Sequence, residues 1–221
     1  MAREMFRGHI KKLETEVMDM GQMVITAVNR SVETLKARNR QDARQIITDD
    51  AIINKKRWDI EENCINLIAL QQPVATDLRE IIAVLSIVTD LERMGDYAEG
   101  IAKIVILLGD EPLVKPLVDI PLMAQKATDM LKRSLDAFIN RDAKTAEAIC
   151  NEDDQVDRLY EQVYRELLSY MIEDPKTITR ATYLIWVAHN LERIADRVTN
   201  ICERTVYLAT GTLREINVSN Y

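Results

Sequence analysis

Apolar residues return at intervals of three and four along most of the chain. From Ile10 through Leu13, Val17, Met20, Val24, Val28 and Val32 to Leu35 the stripe is unbroken. That spacing is one face of an α-helix. It predicts a first helix over about residues 4–38, closed by a turn at 39–42 with Asp42 as N-cap of the next helix. Helix two then runs to Gln71, and Pro73 marks a turn. Helix three is predicted over about 74–108 with Gly109 as its C-terminal stop. Further helices follow at about 120–140, 142–172 and 177–209, separated by Asn140-Arg141-Asp142 and by Asp174-Pro175. No alternating stretch is long enough to predict a strand. Short connections between long helices make sequential helices antiparallel neighbours. Three of the five prolines, Pro112, Pro116 and Pro121, gather in one stretch. The fold predicted is therefore all-α: two tandem antiparallel three-helix bundles, 1–110 and 121–221, joined by a linker at 111–120. Helices of this length are rods of about 45 Å, so an elongated molecule is expected.

The two halves repeat. Leu91-Glu92-Arg93-Met94-Gly95-Asp96 returns 100 residues later as Leu191-Glu192-Arg193-Ile194-Ala195-Asp196. Leu35 matches Leu135, Asp42-Ala43 matches Asp142-Ala143, and Ile101 matches Ile201 at the same offset. Between them the offset rises to about 103, where Asp50 and Asn54 match Asp153 and Asp157, and then falls back. One helix lengthened by about a turn and shortened at the next connection accounts for this. A repeat this long exceeds that of solenoids and points to duplication of a domain-sized unit.

Composition narrows the function classes. With 47% hydrophobic residues but two Phe and two Trp, the core is aliphatic, and scarce Gly and Pro suit uninterrupted helices. The net charge of −7 repels a phosphate backbone, and no basic run offsets it, so nucleic acid is excluded as a partner. Cys64, Cys150 and Cys202 are odd in number, lie in apolar helical stretches and form no CxxC pair, as expected of reduced core residues in a cytosolic protein. The N-terminus lacks the apolar region of a signal peptide. Apolar runs such as 104–108 are too short to insert in a membrane. A cytoplasmic chain is expected, with room to dock on a membrane protein.

The repeated hexapeptide carries the candidate chemistry. Glu92 and Asp96 stand four apart, as do Glu192 and Asp196, so each pair shares one helix face. Helical phase sets them opposite the apolar stripe of Leu91, Met94, Ala98 and Ile101, which predicts a polar face rather than the core. Like charges at this spacing destabilise a helix by about 0.2–0.5 kcal/mol, a term that a bound hard cation reverses. Asp50 with Asn54 and Asp153 with Asp157 repeat the spacing on the preceding helix, so four oxygen-bearing side chains could converge in each half. The competing reading is a solvated acidic face paired locally by Arg93 and Arg193. His9 and His189 are the only histidines. His189 is read as packed or hydrogen-bonded rather than as a ligand. Neither histidine lies in a Glu-x-x-His motif, which disfavours an oxygen-activating di-iron bundle. No Gly-rich phosphate loop, G-x-S-x-G or HExxH is present.

Taken together, Gln71-Gln72-Pro73-Val74-Ala75-Thr76-Asp77-Leu78-Arg79, the two Leu-Glu-Arg hexapeptides and His189-Asn190 before the second resemble the PhoU family of phosphate-signalling proteins. The resemblance spans essentially the whole chain. It implies a fold of two three-helix bundles and metal clusters of iron or zinc held by E/D-x-x-x-D motifs. Those motifs map to Asp50, Asn54, Glu92 and Asp96 in the first half and to Asp153, Asp157, Glu192 and Asp196 in the second. Asn54 departs from the acidic form and implies a weaker first site. The resemblance further implies a cytoplasmic, homodimeric adaptor that negatively regulates phosphate uptake and the phosphate-starvation response. Its partners would be a phosphate-sensing histidine kinase of the PhoR type and a transporter ATPase of the PstB type. Catalysis is not expected. The alternatives are a metal-dependent hydrolase built on the same carboxylates, or a metal-free helical scaffold.

Overall fold

The computed structural model describes residues 2–216, with only the backbone of residues 2 and 3. The ends of the two expected units, residue 1 and residues 217–221, lie outside the described residues. The helices are α1 (Ala2–Ala37), α2 (Arg40–Gln71), α3 (Thr76–Leu108), α4 (Asp119–Asn140), α5 (Ala143–Cys150), α6 (Asp153–Glu173) and α7 (Ile178–Thr210). A single 3-10 turn, Pro175–Thr177, precedes α7. There is no strand among the described residues.

The expected fifth helix is two helices. A turn at Asn151 and Glu152 separates α5 from α6, with the Glu152 amide donating to the Ile149 carbonyl at 3.0 Å. The repeat offset jumps from 100 to 103 between Ala143 and Asp153, so the three extra residues of the second half are accommodated in this irregular turn. Arg133 on α4 holds it with a fork of two hydrogen bonds to the Glu152 carboxylate. The N-cap of α2 is also different from expectation. Asn39 accepts from the amides of Gln41 and Asp42, while Asp42 sits in the first turn and takes hydrogen bonds from Arg30 and Thr34. In the second half Asp142 does cap, accepting from the Thr145 amide at 3.0 Å. Gly109 ends α3 with a positive φ of 64°, a conformation that favours glycine.

α1, α2 and α3 pack together, as do α4 to α7, giving two repeated bundles. The predicted stripe of α1, from Ile10 to Leu35, is buried throughout, and Phe6 extends it. The bundles are not merely tethered by the linker. The most extensive helix pairing joins α3 to α7, α1 also packs on α4, and one hydrophobic core runs through both halves. α3 serves both partners because it is apolar over most of its circumference: Ile81, Val84, Ile87, Val88, Leu91, Met94, Ile101 and Val105 are all buried.

α3 and α7 run antiparallel across this junction, and the repeat makes it pseudo-twofold. Asp90 accepts hydrogen bonds from Arg197 (3.2 Å) and Asn200 (3.0 Å). At the symmetry-related place, Gly100 gives room to Asn190, whose Nδ2 would lie 3.2 Å from a Cβ there. Burial raises the Asp90 carboxyl above the usual range in spite of these donors. A second link ties the α4–α5 turn to the first bundle, where Arg141 donates to Glu14 (2.7 Å) and lies 3.3 Å from the buried Glu80. Cys64, Cys150 and Cys202 are buried and form no disulfide.

Candidate metal centre

In each half the carboxylates face the groove between two helices: α2 and α3 in the first, α6 and α7 in the second. The expectation of an open polar face is corrected here. Glu192 is 6% exposed and Asp153 is 8% exposed. Helical phase gives a side chain's direction on its own helix, but not the neighbouring helix that covers it.

The second half brings three of its four predicted acids within mutual ligand range, with Glu192 beside them. One carboxylate oxygen from each of Asp153, Asp157 and Asp196 lies within 4.8 Å of the others, the one such grouping among the described residues. Asp153 Oδ1, Asp157 Oδ1 and Glu192 Oε2 are buried and have no hydrogen-bond donor. Buried acceptors left in this condition are costly. The electrostatics register the strain. Burial first, then Asp157, Asp196 and Glu192, pushes the Asp153 carboxyl up to about 7. Burial followed by Asp196 pushes Glu192 up to about 7, and the same two causes lift Asp157 to about 6. Asp196 is raised by burial against the opposing pull of Arg193 and Arg197. Arg193 Nη1 stands 2.6 Å from Asp196 Oδ2, and Tyr97 of α3, across the junction, is the largest cause holding the Arg193 guanidinium charged. His189 Nδ1 lies 3.4 Å from Glu192 Oε2, and its ring is 5.9 Å from that of Tyr160. The imidazole is half exposed rather than packed.

The first half gathers the same positions differently. Asn54 Nδ2 donates to Asp50 Oδ2 at 2.7 Å. Glu92 is paired with Arg57, whose Nη1 is 3.0 Å from Oε1. Asp96 lies 3.3 Å from Arg93. Burial, then the charges of Glu99 and Asp96, lifts Asp50 to about 6. Gly95 allows the close approach of α2, since a Cβ there would come within 3.3 Å of Ile53 and 3.4 Å of Asp50 Oδ1.

The comparisons agree with this architecture. The PhoU domain profile matches residues 17–105 and again residues 120–205. The chain belongs to the PhoU family. The phosphate-specific transport system accessory protein PhoU homolog of Clostridium acetobutylicum is 40% identical over 218 residues, 98% of this chain and all of that protein. The Aquifex aeolicus protein of the same description is 42% identical over 204 residues, 92% of each chain. Crystal structures of PhoU from Streptococcus pneumoniae and Pseudomonas aeruginosa both superpose with a TM-score of 0.88. Their identities are 34% and 36%, with 95% and 94% of this chain covered and 99% and 100% of theirs.

Within this PhoU fold, Asp153, Asp157, Glu192 and Asp196 offer oxygen donors of the kind a hard cation takes, and oxygens of Asp153, Asp157 and Glu192, like Glu92 Oε2 in the first half, lack a hydrogen-bond donor. Glu99 shares the predicted polar face of Glu92 and Asp96 and is the largest charged influence on Asp50. Two contributors are not evident from one helix alone: Arg57 neutralises Glu92, and Tyr160 adjoins His189. The 103-residue offset that pairs Asn54 with Asp157 also pairs Arg57 with Tyr160. That correspondence was the available signal that the two sites differ.

Proposed function

We propose that this PhoU-family chain is a regulatory adaptor of phosphate-specific transport, restraining phosphate uptake and the phosphate-starvation two-component response. The observation that carries this reading is the match over nearly the whole chain to relatives named as accessory proteins of the phosphate-specific transport system. No helix among the described residues is long and apolar enough to cross a membrane. In this reading the chain acts from the cytoplasm, docks on the transporter ATPase and on the phosphate-sensing histidine kinase, and pairs with a second copy of itself. It performs no catalysis. A transition-metal ion, iron or zinc, is bound by Asp153, Asp157, Glu192 and Asp196, and the related set of Asp50, Asn54, Glu92 and Asp96 faces the corresponding groove. Bound cation would supply the positive charge that these buried acids lack and hold α6 against α7.

The test is complementation of a strain lacking its own PhoU-family gene. Alkaline phosphatase output should become low in high phosphate when this chain is expressed. Output that ignores phosphate, with the chain present at normal level, refutes the regulatory role. Elemental analysis of untagged protein purified without chelator checks the metal separately.

A further inference from the structure

Superposing the repeats residue by residue shows that three positions around the clusters changed together. Asn54, Arg57 and Thr89 in the first half correspond to Asp157, Tyr160 and His189 in the second. From the first half to the second, the first two exchanges remove an N–H donor or a positive charge, and the third adds an imidazole. In the first half, Asn54 supplies an N–H to Asp50. Arg57 reaches from α2 to Glu92, Arg93 pairs with Asp96, and Lys103 pairs with Glu99. Every acid of that groove therefore already has a donor from the protein. In the second half, among the described residues, Arg193 is the one arginine or lysine ion-paired with the four acids. Glu192, 94% buried by its 6% exposure, keeps an oxygen without a donor, as do Asp153 and Asp157; the first half leaves one such oxygen, Glu92 Oε2, on a carboxylate whose other oxygen Arg57 holds. Beside the Glu192 oxygen, and absent from the first half, stands the half-exposed imidazole of His189.

We infer that the two clusters take different cations: the Arg57 guanidinium fills the first, and the second takes a transition metal with His189 as a nitrogen ligand. This rests on the metal reading above and deepens it. A carboxylate-only site suits magnesium, calcium or manganese, whereas an imidazole shifts preference towards zinc and iron. His189 is well placed for that work. It lies one helical turn before Glu192 on α7, its ring is accessible enough to swing without disturbing the core, and Tyr160 flanks it from α6. In the first half the planar guanidinium of Arg57 bridges Glu61 (2.8 Å) and Glu92 (3.0 Å). It is tethered to α2, so a free ion would have to displace it. Asn54 reduces the charge available to repay that displacement. Metal chemistry is thereby confined to one half of a molecule whose fold is duplicated.

The experiment uses the untagged full chain, stripped of metal and titrated calorimetrically with Zn²⁺ and with Mg²⁺. His189→Gln should weaken Zn²⁺ binding by on the order of tenfold or more, since losing a ligand costs at least what losing a ligand's supporting partner does. Mg²⁺ binding should change less than about twofold. Glu92→Gln should leave Zn²⁺ uptake unchanged, and Asp157→Asn should abolish it. Asn54→Asp with Arg57→Tyr should add Zn²⁺ uptake in the first half. Unchanged Zn²⁺ affinity in folded His189→Gln, or equal losses for both metals, overturns the role of His189 while leaving the metal reading intact. Reduced Zn²⁺ stoichiometry in Glu92→Gln overturns the division between halves. Wild-type protein that takes up neither cation overturns the metal reading itself, and this inference with it.

Discussion

Asp157→Asn is a substitution the molecule has already made once, at Asn54. In the second half, burial and Asp196 raise the Asp157 carboxyl from 3.8 to about 6. A tenfold change in proton affinity corresponds to about 1.4 kcal/mol, so ionising this group costs the apo fold up to ~3 kcal/mol. Solvent reaches part of the side chain, which reduces the expected figure to about 1–2 kcal/mol. The sign follows from the raised value. Below the ordinary carboxylate pKa both folded and unfolded chains are protonated and the cost is absent. It grows as the unfolded chain ionises and is complete above about pH 6. Asparagine removes the charge and supplies an N–H that can reach Asp153, as Asn54 does for Asp50 at 2.7 Å. It also relieves Asp153, for which Asp157 is the largest charged influence. In EDTA at pH 8 the variant should therefore melt above wild type by about 2–8 °C, taking 2–4 °C per kcal/mol for a chain this size. At pH 4 the difference should shrink towards zero. Differential scanning calorimetry at the two pH values measures both. A variant no more stable than wild type at pH 8, or equally stabilised at both, would show that buried charge is not what strains this groove.

Other substitutions test the frame. Gly21→Ala places a Cβ 2.1 Å from Leu135 Cδ1 where α1 meets α4. Overpacking of about 1–3 kcal/mol should exceed a helix-propensity gain near 1 kcal/mol, so urea unfolding should show a net loss of about 1 kcal/mol; a gain would mean Leu135 has room. Ala75, before α3, has φ 50° and ψ −117°, so Ala75→Gly should relieve strain of about 1 kcal/mol and raise Tm by a few degrees. Arg141→Ala leaves buried Glu80 with only the more distant Arg7 at 3.6 Å. It should cost about 1–3 kcal/mol in chemical denaturation, and an unchanged midpoint would remove this link from the account of how the halves hold together.

The helices were legible because their signal is local. Ile10 to Leu35 repeats at helical spacing whatever surrounds it, and Gly109 and Pro73 stop helices by their own backbone chemistry. The break at Asn151 and Glu152 was not, because neither residue forbids a helix; only the jump in repeat offset marked the place. The α3–α7 junction lay half-visible in the sequence, since Ala83, Ile87, Leu91 and Ala98 give α3 more apolar circumference than one bundle needs. At the candidate centre, the spacing of Glu192 and Asp196 set them on one face. Their burial depended on α6 lying over them, and the neutralisation of Glu92 depended on Arg57 arriving from α2. Both are tertiary facts, which residue types hint at only when the two halves are laid side by side.

The pseudo-twofold pairing of α3 with α7 is the contact that two copies of a single bundle would make if they associated as separate chains. A symmetric pair of that kind must carry every substitution twice, so its two grooves could only be alike. Joining the copies in one polypeptide removes that constraint. Asp90 can face Arg197 while Asn190 faces Gly100, and Arg57 can stand in one groove while Tyr160 stands in the other. Within one polypeptide the two grooves are free to differ, as Arg57 and Tyr160 do.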